Sequence, residues 1–293
     1  MSWQDLYDTA IGKLDDYSGR IRVECSRFAV LGDTHGYLSV SKWFIDSFLD
    51  DYECIFFLGD YVDRGPEGVE NLDYILEMFV SSEKVFVLRG NHEDLRMNRY
   101  YGFLSQALSR GDNYLEELKI LYSKLPLFAV VNNEFFLVHG GIPCRSCGNA
   151  PEPPLTVMEL VEKLRRMFSS GEDPLNDRIL FQLLWNDPDL FLEWYAPNIR
   201  GEGTYLYGRE AWKAFLLNNS LRMIIRAHER VNGVVIYTSS MRSIDHPANC
   251  IDKSELNMGV LTVFSSLYHG ADAGAVLVER DKVCFKYFSP RPS

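Results

Sequence analysis

Phe28-Ala29-Val30-Leu31-Gly32-Asp33-Thr34-His35-Gly36 is the stretch from which the rest of the chain can be read. Four apolar residues without alternation suit a strand of a parallel sheet that is buried on both faces. The strand ends in a glycine followed by two side chains able to bind a metal. The pattern then repeats. Leu38, Phe44 and Phe48 follow on a helical period, and Ile55-Phe56-Phe57-Leu58 ends in Gly59-Asp60. Val69, Leu72, Ile75, Leu76 and Phe79 form a second amphipathic stretch. Val85-Phe86-Val87-Leu88 then ends in Gly90-Asn91-His92-Glu93. The order is βαβαβ, at about the thirty-residue period of such units.

Further along, the spacing predicts helices from Leu115 to Leu125 and from Thr156 to Phe168. Pro151 to Pro154 reads as a loop. Strand-like runs recur at Phe135–Val138, Met223–Ile225, Val234–Tyr237, Val260–Phe264, Ala275–Val278 and Val283–Tyr287. The last three read as a β-meander. The expected fold is α/β: a layered β-sandwich of two mixed sheets flanked by helices. Residues 1–24 are expected to form an N-terminal helical or extension segment, and 25–293 one catalytic domain.

Groups able to bind metal follow strand after strand. Asp33 and His35 follow the first, Asp60 and Asp63 the second, and Asn91 and His92 the third. His139 and His228 follow later ones. In open α/β sheets the carboxyl ends of strands line the ligand crevice, so these residues can converge. Taken singly, Asp33 reads as a helix cap and a histidine at a strand end as a hydrogen-bonded core residue. Neither explains the recurrence. Carboxylate, imidazole and amide oxygen together suit borderline or hard ions such as manganese, iron or zinc. Six such donors are too many for one tetrahedral ion and about right for two ions sharing a carboxylate.

Composition narrows the class. The chain has 293 residues, 46% hydrophobic and 24% charged, ordinary for a globular protein. A net charge of -11 argues against a nucleic-acid partner held by a basic surface. No apolar stretch is long enough to span a bilayer, so no membrane partner is expected. The N-terminus lacks the layout of a secretion signal, which makes the cytoplasm the expected location. The six scattered cysteines suggest reduced thiols; Cys144 and Cys147 form a CxxC with no second pair beside it.

The segments GDTHG (Gly32–Gly36), GDYVDRG (Gly59–Gly65), GNHE (Gly90–Glu93), HGG (His139–Gly141) and RAHE (Arg226–Glu229) closely resemble the PPP family of protein serine/threonine phosphatases. That family lies within the calcineurin-like metallophosphoesterases. The likeness includes Asn98–Phe103, Leu184–Asp189, Arg200-Gly201 and Phe264–Tyr268. It implies that Asp33, His35 and Asp60 hold a first metal, and that Asp60 bridges to a second completed by Asn91, His139 and His228. Arg64, Arg200 and Asn91 would grip phosphate, with Tyr268 beside the metals. His92, oriented by Asp63, would protonate the leaving alkoxide. A hydroxide bridging two divalent or trivalent ions would attack phosphorus in line, without a phosphoenzyme. The partners implied are proteins phosphorylated on serine or threonine.

The sequence departs from the family at Ser265-Ser266-Leu267-Tyr268, one residue shorter than usual, at His269, at Asn186, and in a long stretch from Tyr237 to Met258. These changes bear on substrate choice and toxin sensitivity. Absence of a calmodulin-type helix or long tail before Ser293 resembles compact prokaryotic or archaeal members. Two other readings remain open. One is a small-molecule phosphoesterase, such as a symmetrical dinucleoside tetraphosphatase. The other is a non-catalytic phosphoprotein-binding protein, which the full ligand set disfavours.

Overall fold

The computed structural model describes residues 1–289. The first third runs α1 (Trp3–Asp15), β1 (Arg20–Val23), β2 (Phe28–Leu31), α2 (Leu38–Phe48), β3 (Cys54–Phe57), α3 (Gly68–Ser81) and β4 (Val85–Val87). The middle runs α4 (Leu95–Tyr101), α5 (Phe103–Ala107), α6 (Asp112–Lys124), β5 (Phe128–Val131), β6 (Phe135–Val138), α7 (Val157–Ser170) and α8 (Arg178–Trp185). Then come β7 (Asp187–Pro188), β8 (Tyr195–Pro197), β9 (Tyr205–Tyr207), α9 (Arg209–Asn218), β10 (Met223–Arg226), β11 (Val234–Tyr237) and β12 (Ser243–Asp245). The chain closes with β13 (Ile251–Asp252), β14 (Gly259–Val263), β15 (Ala273–Val278) and β16 (Lys282–Phe288).

Two large mixed sheets result, ordered β1-β5-β6-β10-β14-β11-β12 and β13-β16-β15-β2-β3-β4; β7, β9 and β8 make a small third sheet. The expected two-sheet sandwich with flanking helices is what forms. Strand β2 shows why its run is apolar throughout. Phe28 and Val30 enter the core between the sheets, while Ala29 and Leu31 enter the core under α1, α2 and α3. A third core joins the outer face of the seven-stranded sheet to α7, α8 and α9. Residues 1–24 pack with the rest: Leu6, Tyr7, Ala10 and Leu14 are buried and β1 pairs with β5.

Two expectations are corrected. The last three long strands are not a meander. β14 pairs with β10 and β11 in one sheet, and β15 pairs with β16 and β2 in the other. Apolar pattern reports that a strand is buried and does not say which sheet it joins. The chain crosses between sheets through residues 264–272. Nor are the cysteines free. Cys25–Cys54, Cys144–Cys147 and Cys250–Cys284 are disulfides. Two of them pair residues 29 and 34 apart, closures set by strand packing and invisible in local spacing. No helix among the described residues is long and apolar enough to cross a membrane.

Candidate active site

Strands β2, β3 and β4 run parallel in register, so the loops after them open at one end of the sheet. Backbone bonds tie these loops together: Thr34 and His35 N–H donate to the Asp60 carbonyl, and Gly36 N–H to that of Tyr61. Glu93 fixes the neighbouring turns, accepting from the N–H groups of Asp60, Tyr61 and Gly90 at 2.7, 2.9 and 2.8 Å. The glycine at 90 is required by contact, since a Cβ there would meet Asp60 Oδ1 at 2.2 Å. From the second sheet, β6 and β10 deliver His139 and His228. Ala227 N–H donates to the His139 carbonyl and His228 N–H to Asp33 Oδ1 at 2.9 Å.

Five residues of this centre hold left-handed backbone: His35 (φ 46°), Asp60 (57°), Asp63 (68°), Arg64 (67°) and His228 (70°). Such conformations typically cost about 1–3 kcal/mol each and persist where surrounding structure over-determines them, often at functional sites.

The six sequence-proposed ligands all come together. Asp60 lies between two groups. Its Oδ2 is 3.6 Å from His35 Nε2, and its Oδ1 is 3.4 Å from His139 Nε2. Asp33 Oδ2 is 3.8 Å from His35 Nε2, and Asn91 Oδ1 is 2.9 Å from His139 Nε2. Asp60, His139 and His228 can offer donor atoms all within 4.8 Å of one another, as can His35, Asp60 and His92. His35 Nδ1 and His139 Nδ1 each lie 3.0 Å from a backbone carbonyl, of Val62 and Leu58. A proton on Nδ1 then leaves the Nε2 lone pair facing the centre.

Electrostatics fit a cation here. Burial, then the charge of Asp60, pushes the Asp33 carboxyl up. Burial would also raise Asp60, but the imidazoles of His139, His92 and His35 draw it well below the usual range. Burial followed by His92 lowers His35 to about 3, and burial drives His228 far down, so both stay neutral, the form that binds metal. His228 Nε2 is buried without a hydrogen-bond partner among the described residues. Burial would lower His139, but the charge of Asp60 raises it above its ordinary value. Two buried carboxylates, the imidazoles and an amide oxygen form a donor set that suits a borderline divalent ion.

Beside this group, His92 Nδ1 is 2.7 Å from Asp63 Oδ2. Asp63 is held by Asn98 Nδ2 and Phe103 N–H, both donating at 2.9 Å. Burial would lower the His92 imidazole, but Asp60 and then Asp63 raise it above its ordinary value. Asp33, His35, Asp60, Asn91, His92 and His228 face a cavity of about 320 Å³ that Arg64 and Arg200 also line. The Arg64 guanidinium stacks over Tyr101 at 4.6 Å, and its buried Nε has no hydrogen-bond partner among the described residues. Arg200 is bound through Nε to Asp187 Oδ2, which also anchors Asn198. Arg226 binds the other oxygen of Asp187 at 2.7 Å.

Tyr268 stands outside the cavity lining, 47% exposed, with its ring 5.7 Å from the Arg64 guanidinium. His269 lines the cavity instead, together with Tyr101, Met97 and Arg230, which sequence reasoning did not assign. Arg230 directly follows the RAHE segment and Tyr101 lies in the matched Asn98–Phe103 stretch. Adjacency to a motif was the signal available for both.

A family model described as calcineurin-like phosphoesterase matches residues 26–231. Among solved structures, one similar fold is a protein serine/threonine phosphatase from Saccharomyces cerevisiae with similarity to human phosphatase PP5. It is 22% identical at a TM-score of 0.77, over 100% of this chain and 91% of that one. Another is the cold-active protein-tyrosine phosphatase of a psychrophilic Shewanella, 16% identical at a TM-score of 0.57, over 92% and 82%. A third is a metallophosphoesterase from Sphaerobacter thermophilus, 15% identical at a TM-score of 0.51, over 91% and 89%. At these identities the likeness is one of fold.

Proposed function

This chain belongs to the calcineurin-like phosphoesterase family, and on that premise we propose that it is a protein serine/threonine phosphatase hydrolysing phosphomonoesters. The observation that carries the reading is Asp60 set between His35 and His139, with the His92–Asp63 pair alongside. Asp33, His35 and Asp60 would hold one ion, and Asp60, Asn91, His139 and His228 a second, with manganese, iron or zinc as candidates. The chemistry supplied at such a centre is Lewis-acid activation of water and of the phosphoryl oxygens.

The chain's own groups do the rest. Arg64 offers an unpaired guanidinium to phosphate oxygens, and Asn91 and Arg200 orient the same group. Asp63 keeps the His92 imidazole protonated and aimed, so that Nε2 gives its proton to the departing alkoxide. Tyr101 and Tyr268 flank Arg64. We read 25–293 as one catalytic domain, on which residues 1–24 pack.

For substrate class, the PP5-like neighbour supports phosphoserine and phosphothreonine proteins, while the tyrosine phosphatase neighbour makes phosphotyrosine the comparison to run. Six paired cysteines favour an oxidising compartment over the cytoplasm expected from sequence, hyperthermophile cytoplasm being the known exception. The test of function is a panel with defined metals: phosphoserine, phosphothreonine and phosphotyrosine peptides beside dinucleoside polyphosphates. Preferential turnover of the first two supports the reading. Preference for the nucleotides replaces it with a small-molecule phosphoesterase.

A further inference from the structure

A second concavity, about 380 Å³, runs along β1 and β5 of the seven-stranded sheet, beside α7. Its lining joins Arg20 and Arg22 of β1, Phe128 and Val130 of β5, Asn133 from the β5–β6 turn, Val161 and Arg165 of α7, and Leu221 before β10. Asn133 precedes β6 and Leu221 precedes β10, the strands whose opposite ends deliver His139 and His228. Asn133 is six residues from His139, about 20 Å at about 3.3 Å per residue, whereas Phe128 stands opposite Val138, so the groove runs from the far end of the sheet towards the catalytic end.

Three features define what fits it. The first is charge. Arg20, Arg22 and Arg165 line the groove and no carboxylate does, although the chain carries a net charge of -11. Among the described residues Arg20 has no acidic partner, Arg22 donates to the Asn133 side-chain oxygen, and Arg165 meets Glu162 only at 4.0 Å. Burial, then the positive charge of Arg165 and Arg22, lowers Arg20 from its ordinary value. The second is an apolar floor: Phe128, Val130, Val161 and Leu221 are buried, and Met158 stands 68% exposed at the lip. The third is backbone. Among the described residues β1 is the outermost strand of its sheet and pairs with β5 alone, so one edge of its peptide groups has no strand partner.

An acidic, extended peptide with an apolar side chain satisfies all three, because pairing on an exposed strand edge gives affinity while adjacent pockets and charges give selectivity. A nucleic acid would use the arginines and leave the apolar floor and strand edge unused. We propose that this groove docks an acidic, extended segment of the phosphoprotein substrate, remote in sequence from the phosphorylated residue; the assignment to substrate rests on the function proposed above.

The experiment has two arms. In the first, a fluorescein-labelled twelve-residue peptide of alternating glutamate and leucine is titrated by polarisation. The controls are its glutamine counterpart and the Arg20→Ala/Arg165→Ala variant. Binding should fall at least tenfold with either control and weaken with added salt. Equal binding by the variant, or equal displacement by a single-stranded oligonucleotide of the same charge, overturns the proposal. In the second, a phosphopeptide is compared with the same phosphopeptide joined to the acidic segment by twelve flexible residues. The joined substrate should show a lower KM at unchanged kcat. The variant should lose that advantage while turning over the short phosphopeptide normally, and an advantage retained by the variant overturns the docking role. If neither phosphopeptide is hydrolysed, the proposed function fails, and the polarisation arm alone then decides whether the groove binds acidic peptide.

Discussion

His92 and Asp63 form a buried pair, with His92 Nδ1 2.7 Å from Asp63 Oδ2, while His92 Nε2 lies 4.0 Å from Asp60 Oδ2. One ring nitrogen is thus committed to a carboxylate and the other faces the proposed metal centre. This separates two roles for the imidazole, proton donor and ligand. His92→Asn is expected to lower kcat by about 10²–10⁴, the usual worth of general acid catalysis, with metal content unchanged. Steady-state kinetics with metal analysis of the same sample checks both halves. Loss of metal would assign His92 as a ligand.

Asp63→Asn should act through orientation and charge. The imidazole loses the carboxylate that raises it, so kcat is expected to fall while KM changes little. The high-pH limb of the rate profile should move to lower pH, because less alkali is then needed to deprotonate His92. A pH–rate profile of wild type and variant reads the shift.

Gly90→Ala places a methyl group 2.2 Å from Asp60 Oδ1 and 2.3 Å from the Asp60 backbone nitrogen, below any tolerated contact. Asp60 must move. The expected outcome is loss of metal and activity together with a lowered Tm, measured by metal analysis and thermal unfolding.

Arg89 is buried and binds Asp173 through two nitrogens at 2.7 and 3.0 Å. Burial would raise the Asp173 carboxyl, but the bonds and charge of Arg89 bring it below its ordinary value. A carboxyl depressed in the folded state stabilises above its unfolded pKa, and the contribution is lost as pH falls through the folded value. Asp173→Asn should therefore be less stable than wild type at neutral pH. The gap should narrow below about pH 4, as denaturant titrations at several pH values would show.

Cys25–Cys54 and Cys250–Cys284 close loops of 29 and 34 residues. On the chain-entropy account each stabilises by about 3–4 kcal/mol. Protein unfolded without reductant should expose no thiol to alkylation, and reduction should lower Tm. A full count of free thiols in the native isolate would instead return the protein to a reducing compartment.

Much of this was legible in the sequence because the fold and the site share a signal. Runs such as Phe28–Leu31 are apolar throughout because both faces are buried, and Gly59-Asp60 follows such a run because the backbone turns sharply where the ligands must meet. What depends on three-dimensional partnership was not legible. The sheet joined by Val260–Val263, the pairing of Cys250 with Cys284 and the exposure of Tyr268 are settled by packing between distant segments. Residues 20–23 and 128–131 escaped strand assignment, the first because two arginines interrupt its apolar pattern. Those same arginines make β1 a charged edge, so the missed strand and the proposed docking groove have one cause.

The central claim is tested most directly by counting ions. Purified protein reconstituted with manganese and analysed by plasma mass spectrometry should hold two ions per chain, and Asp60→Asn should weaken both sites together. A wild-type protein holding less than one ion after reconstitution, or an Asp60→Asn protein with one site fully occupied, would contradict the account.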